Sequence, residues 1–201
     1  MKSIRMSAFL LLVLSLGSAN ASATVTLTGI SFEDNAFADQ VLEVNGTWLG
    51  NVSAVLGPTI NDCTWNQAHD ENAFIKVAFT DNSIVNGSGA DFVIFEETGV
   101  DPGDAVKITI SGVTHMYATP LRSGPVNAAF IDLDDFGIAP GDRVSVMTLW
   151  GGATEPEYMG IGALNNGPPL PAPAAVWLVG FGLLTLPAAR RRIHRTTHEA
   201  I

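Results

Sequence analysis

Punctuation is the feature that most constrains this chain. Between residues 24 and 164, turn-forming residues interrupt it roughly every ten positions, and no stretch holds a helical period for long. Residues 24–27 alternate between apolar and polar. In residues 73–79 the alternation places Ala73, Ile75, Val77 and Phe79 inward. Asp81-Asn82 turns the chain, residues 83–85 make a short strand, and Asn86-Gly87-Ser88-Gly89 supplies glycines where a turn needs positive φ. Residues 92–95 are a near-continuous apolar strand, and Asp101-Pro102-Gly103-Asp104 is another turn. Residues 106–110 alternate again, and 114–119 pair with them across Gly112. Strands at 128–133 and 144–150 follow, and 158–164 add a last edge strand. Residues 134–138 make one helical turn with Asp134 as cap. About eight to ten strands at this spacing specify an all-β domain, a β-sandwich or jelly roll. A domain of about 140 residues buries one core unaided.

Charge is distributed unevenly. The net formal charge is −10, but six of the ten bases sit at the two ends. The middle keeps Lys76, Lys107, Arg122 and Arg143 against nineteen acids, about −15. Such a domain repels nucleic acid, whose phosphates demand basic neutralisation. It suits divalent cations or cationic partners, or the charge serves solubility alone. The single cysteine, Cys63, cannot form an internal disulfide. It is either a buried small apolar residue or open to an intermolecular bond.

Both ends read as processing segments. Lys2 and Arg5 precede an apolar run at residues 6–16, and small residues then end in Ala21 and Ala23. This is the three-part pattern of a secretory signal peptide, residues 1–23, cut after Ala21 or Ala23 by signal peptidase. The run is shorter than the roughly 20 residues of a membrane span. At the other end, no charge occurs between Glu157 and Arg190. Residues 165–173 are a proline-rich linker, 174–189 a short transmembrane helix, and 190–201 a basic cytoplasmic tail. Trp177 suits the outer interface, and Arg190, Arg191 and Arg192 hold the cytoplasmic side. The domain between, residues 24–164, is thereby placed outside.

The tail carries a resemblance. Pro169-Leu170-Pro171, then Ala174-Ala175-Val176-Trp177-Leu178, a glycine-containing apolar stretch and the arginine cluster occur in order. They resemble the PEP-CTERM sorting signal, in the proteobacterial form with the consensus V-P-L-P-A-A-V-W-L. This chain has two extra residues inside that motif and no Pro-Glu-Pro in the tail. The resemblance implies a Gram-negative surface protein that is held briefly in the inner membrane and cleaved near the proline motif by an exosortase. It further implies release to the cell surface or extracellular matrix in association with exopolysaccharide or biofilm. Two internal segments are also similar to parts of secreted proteins of that class: Gly87-Ser88-Gly89-Ala90-Asp91-Phe92-Val93-Ile94-Phe95-Glu96 and Phe130-Ile131-Asp132-Leu133-Asp134-Asp135-Phe136-Gly137. They imply a jelly-roll-like domain and bring no catalytic residue with them.

Candidate chemistry in the middle is sparse, and no catalytic residue is assigned. Asp91 and Glu96 bracket a strand, while Asp132, Asp134 and Asp135 crowd one turn. Loop carboxylates of this kind either hold a structural Ca²⁺ or cap turns, and the spacing is not an EF-hand. His69 and His115 lack zinc spacing. No nucleophile elbow, P-loop or H-E-x-x-H motif is present. Trp48, Trp65 and Trp150 either pack in the core or form a sugar-stacking platform. The readings left open are therefore a non-enzymatic surface protein, a carbohydrate-binding module, and a secreted hydrolase.

Overall fold

A computed structural model describes residues 23–98, 105–152 and 155–170. Among these residues the regular structure is strands plus two short 3₁₀ turns, so the all-β expectation holds. Residues 1–22 of the expected signal segment, the end of the linker from residue 171, and the segments expected to be a transmembrane helix and a basic tail lie outside the described residues. Among the described residues, no helix is long and apolar enough to cross a membrane.

Two hairpins show how local sequence sets the connections. β1 (Thr24–Leu27) pairs with β2 (Ile30–Glu33) through Thr28 and Gly29, at φ 48° and 80°. β9 (Ala105–Ile110) pairs with β10 (Val113–Ala118) through Ser111 and Gly112, at φ 50° and 85°. Two successive positive φ values define the two-residue turn whose twist matches that of paired strands, and glycine adopts the second at no steric cost.

The larger sheets share one core. The first has five antiparallel strands in the order β10–β9–β14–β6–β3, with β3 (Gln40–Asn45), β6 (Phe74–Ala78) and β14 (Val146–Trp150). The second has six: β11 (Leu121–Ser123), β12 (Val126–Ile131), β8 (Phe92–Glu97), β15 (Tyr158–Ala163), β5 (Thr64–Trp65) and β4 (Leu49–Gly50). A small third sheet joins β13 (Arg143–Val144), β7 (Ser83–Val85) and β16 (Asn166–Gly167).

Burial follows sequence period. β9 alternates, with Val106, Ile108 and Ile110 in the core and Ala105, Lys107 and Thr109 turned out. Ala73, Ile75, Val77 and Phe79 are buried as expected. β8 does not alternate: Phe92, Val93, Ile94, Phe95 and Glu96 are all buried. A strand buried on both faces reads as a continuous apolar run for this reason. Its second face is covered by the β1–β2 hairpin, whose Phe32 ring lies 5.9 Å from Phe95 and 5.1 Å from Phe37.

Three expectations need correcting. Residues 158–164 are not an edge strand, because β15 lies between β8 and β5 and is buried throughout. Gly162 lets it run there: a Cβ on that residue would stand 2.6 Å from the Phe32 ring. The helical turn is a 3₁₀ turn at Leu133–Phe136, and its cap is Asp132 rather than Asp134. Asp132 Oδ1 accepts from the Asp134 amide at 2.9 Å, and Gly137 closes the turn in the left-handed region. Finally, Asn165 and Asn166, read as the opening of the linker, are bonded into the fold. Asn166 pairs with Ile84 and exchanges side-chain bonds with Asn82, Glu33 and Asn35.

Candidate functional site

The acidic residues proposed for calcium have internal partners. Asp91 is fully buried at the start of β8. Its Oδ1 accepts from the Gly87 amide and from Asn165 Nδ2, each at 2.7 Å, and its Oδ2 accepts from the Leu133 amide at 2.8 Å. Asn86 Nδ2 donates to Asp134 Oδ1 at 2.7 Å and to the Ile138 carbonyl at 2.6 Å. The 86–91 loop and the 132–136 turn thus meet through Asp91–Leu133 and Asn86–Asp134. One buried carboxylate fastens the 86–91 loop, the 132–136 turn and the end of β15 together. Asp135 Oδ2 accepts from the Tyr117 hydroxyl at 2.8 Å. Burial, then this bond and the charge of Asp135, push the Tyr117 phenol above its ordinary range.

Glu96 is separate from that cluster. It is buried opposite Tyr158 in the β8–β15 register. Tyr158 donates its hydroxyl to the Trp150 carbonyl at 2.8 Å. Burial first, then the charge of Glu96, raise the Tyr158 phenol. Among the described residues, no group of three or more His, Cys, Asp or Glu side chains is placed to hold a metal ion.

Cys63 is buried, and its thiol donates to Glu97 Oε2 at 2.9 Å. Burial, followed by the Glu97 hydrogen bond and charge, pushes it up to about 12. Such a thiol is a poor nucleophile at neutral pH. His69 sits at φ 49°, with Nε2 4.0 Å from Glu155. His115 packs edge-on against Phe136 at 5.1 Å.

The remaining acids include a close pair. An open depression of about 300 Å³ is lined by Asp34, Asn35, Asp39, Leu56, Pro58 and Asp81, among others. Asp39 accepts from the Thr80 amide and hydroxyl at 2.7 and 2.6 Å and from the Asp81 amide at 3.3 Å. Desolvation opposes these bonds, yet the Asp39 carboxyl is held below its usual range. Burial and Asp39 raise that of Asp81. The Asp39 contribution to stability is therefore present above the ordinary carboxylate range and is lost as pH falls through its lowered value.

The three tryptophans do not form one platform. Trp48 and Trp65 are half-buried against the core, and Trp48 donates Nε1 to the Asn45 carbonyl at 2.9 Å. Trp150 differs, because it ends β14 on the outward face of the five-stranded sheet. The registers align Met116, Lys107, Trp150, Phe74 and Asn45 in one row across all five strands. The Lys107 ammonium lies 5.2 Å from the Trp150 ring centroid, and Phe74 meets that ring edge-on at 5.4 Å. The indole Nε1 donates to Thr109 Oγ1 at 2.8 Å, which fixes the ring's orientation. The next row holds Thr109, Thr148 and Lys76 side by side. Trp150 was legible as a candidate aromatic. Its neighbours come from β6, β9 and β10 and were not associated with it.

Ala23, Pro169 and Leu170 are exposed at the margins of the described residues. Ala21, Pro171, Trp177, Arg190, Arg191 and Arg192 lie outside them.

No family model matches the chain, and no curated relative matches it. A crystal structure of SpGH29 is similar at a TM-score of 0.37 and 14% identity, over 66% of this chain. This chain spans 28% of that one.

Proposed function

We propose that this chain is an exported bacterial surface protein, sorted through the inner membrane and cut by an exosortase, whose all-β domain acts without catalysis. Within the all-β class, the domain is read as a jelly-roll-like sandwich, with five- and six-stranded sheets on one core. The observation that carries the functional reading is the order of features in the tail. A proline motif at Pro169-Leu170-Pro171 precedes an apolar stretch ending in Arg190-Arg191-Arg192, and an export signal occupies the other end. β16 ends at Gly167, two residues before Pro169, so cleavage near the motif would leave the packed domain whole. Replacing Pro169 and Pro171 by alanine in the native host tests this. The expected result is retention of the variant in the inner-membrane fraction, while the wild type reaches the medium or cell surface. Equal release of both would overturn it.

The second reading, a carbohydrate-binding module, is favoured by one observation: the outward Trp150 row on the five-stranded sheet.

A further inference from the structure

We infer that the outward face of the five-stranded sheet is a binding platform for an anionic polysaccharide chain. The inference deepens the surface-protein reading, and rests on it only for where such a polymer would be met.

Three observations carry it. The first is shape. A row that crosses five strands at about 4.8 Å spacing extends roughly 19 Å, long enough for several sugar units of an extended chain. The second is chemistry. Sugar rings present apolar C–H faces and polar edges, so a glycan site needs an oriented aromatic surface with hydrogen-bonding groups around it. Trp150 is held by Thr109 and Phe74, with Met116 59% exposed at one end of the row and Asn45 exposed at the other. Thr109 and Thr148 line the adjacent row.

The third observation is charge. The middle of the chain holds four bases against nineteen acids, yet two of those bases, Lys76 and Lys107, point out from this one sheet face. Among the five strands, the acid on this face is Glu43, paired with Lys76 across β3 and β6, so Lys107 is the base without an acid opposite it in the register. An otherwise acidic domain therefore offers one face whose strands carry a small excess of positive charge, with the Lys107 ammonium beside the aromatic ring. A uronate-type polymer supplies both the ring face and the carboxylate that such a surface receives. Two lysines are too few to hold a nucleic acid backbone.

Affinity electrophoresis tests this, using the full chain in non-ionic detergent through native gels containing alginate, dextran or no polymer. The wild type is expected to be retarded by alginate at low salt, and less so as salt screens the lysines. Dextran is expected to retard it much less. Trp150→Ala should weaken alginate binding about tenfold, a loss typical of an interface anchor. That change removes a half-buried ring, so Lys107→Gln and Met116→Ser provide variants at positions that do not hold the core. Lys107→Gln should weaken binding and flatten its salt dependence, and Met116→Ser should weaken it modestly. The inference is overturned if alginate does not retard the wild type, if dextran retards it equally, or if all three variants bind as the wild type does. A protein processed at its tail that fails to bind alginate overturns this inference alone. One that binds alginate but is not processed overturns the sorting proposal alone.

Discussion

The two large sheets use the same strand chemistry for opposite ends. β8 and β15, at the centre of the six-stranded sheet, are buried on both faces, and their sequence carries almost no alternation. β9 and β14, at the centre of the five-stranded sheet, are buried on one face and alternate cleanly. The doubly buried pair leaves no surface for a partner. Its polar residues, Asp91 and Glu96, are held inside the fold. The half-buried pair turns Lys107, Thr109, Thr148 and Trp150 outward, where a partner can meet them. Loss of alternation thus marks where the domain is held together, and its persistence marks where the domain can interact.

The comparison breaks most visibly at Asp91. Alanine there leaves the buried Leu133 amide, the Gly87 amide and the Asn165 side-chain amide without their acceptor. Unfolding in urea should show a loss of about 4 kcal/mol, since a hydrogen bond to a charged group contributes roughly 1.5–3 kcal/mol and the bonds at the loop are only partly buried. A loss below 1 kcal/mol would mean that the carboxylate is not the fastener described. Next comes Gly162→Ala. The added methyl meets the Phe32 ring at 2.6 Å, and overpacking of this kind costs about 1–3 kcal/mol. Pairing it with Phe32→Leu should recover part of the loss, and a double mutant no better than the single would contradict the contact.

Cys63, beside β5 on the same sheet, gives a pH signature. Its folded pKa is raised from 9.0 to about 12, so the fold favours the protonated thiol. That contribution is complete below pH 9 and is lost as pH rises toward 12. Iodoacetamide at pH 8 should leave Cys63 unmodified in the folded protein and alkylate it in urea. Rapid labelling of the folded protein would contradict its burial against Glu97. The smallest effect belongs to the outward face of the five-stranded sheet. Met116→Ser should change stability by less than about 0.5 kcal/mol, as surface substitutions usually do.

How much of this was legible in the sequence follows the same division. The β9–β10 hairpin could be read from alternation and Gly112, and β8 from its unbroken apolar run. β15 was misplaced at an edge because Gly160 and Gly162 weaken a strand signal. The reason for Gly162 is a Phe32 ring some 130 positions away in the chain. The cap of the 132–136 turn was displaced by two residues because Asp132, Asp134 and Asp135 all suit the role locally. The acidic cluster was visible as composition. That Asp91 is consumed by Gly87, Leu133 and Asn165 depends on three loops meeting, which no local pattern encodes. The Trp150 row likewise exists only through the register of five strands.

The central claim is that a domain is exported, folded and freed by cuts at both ends. Its most direct test is the intact mass of the protein recovered from the outer surface of its native host. The account predicts a mass lacking the first twenty-odd residues, removed by signal peptidase, together with the arginine-rich tail. A mass that still includes Arg190, Arg191 and Arg192 would contradict it and describe a membrane-anchored protein instead.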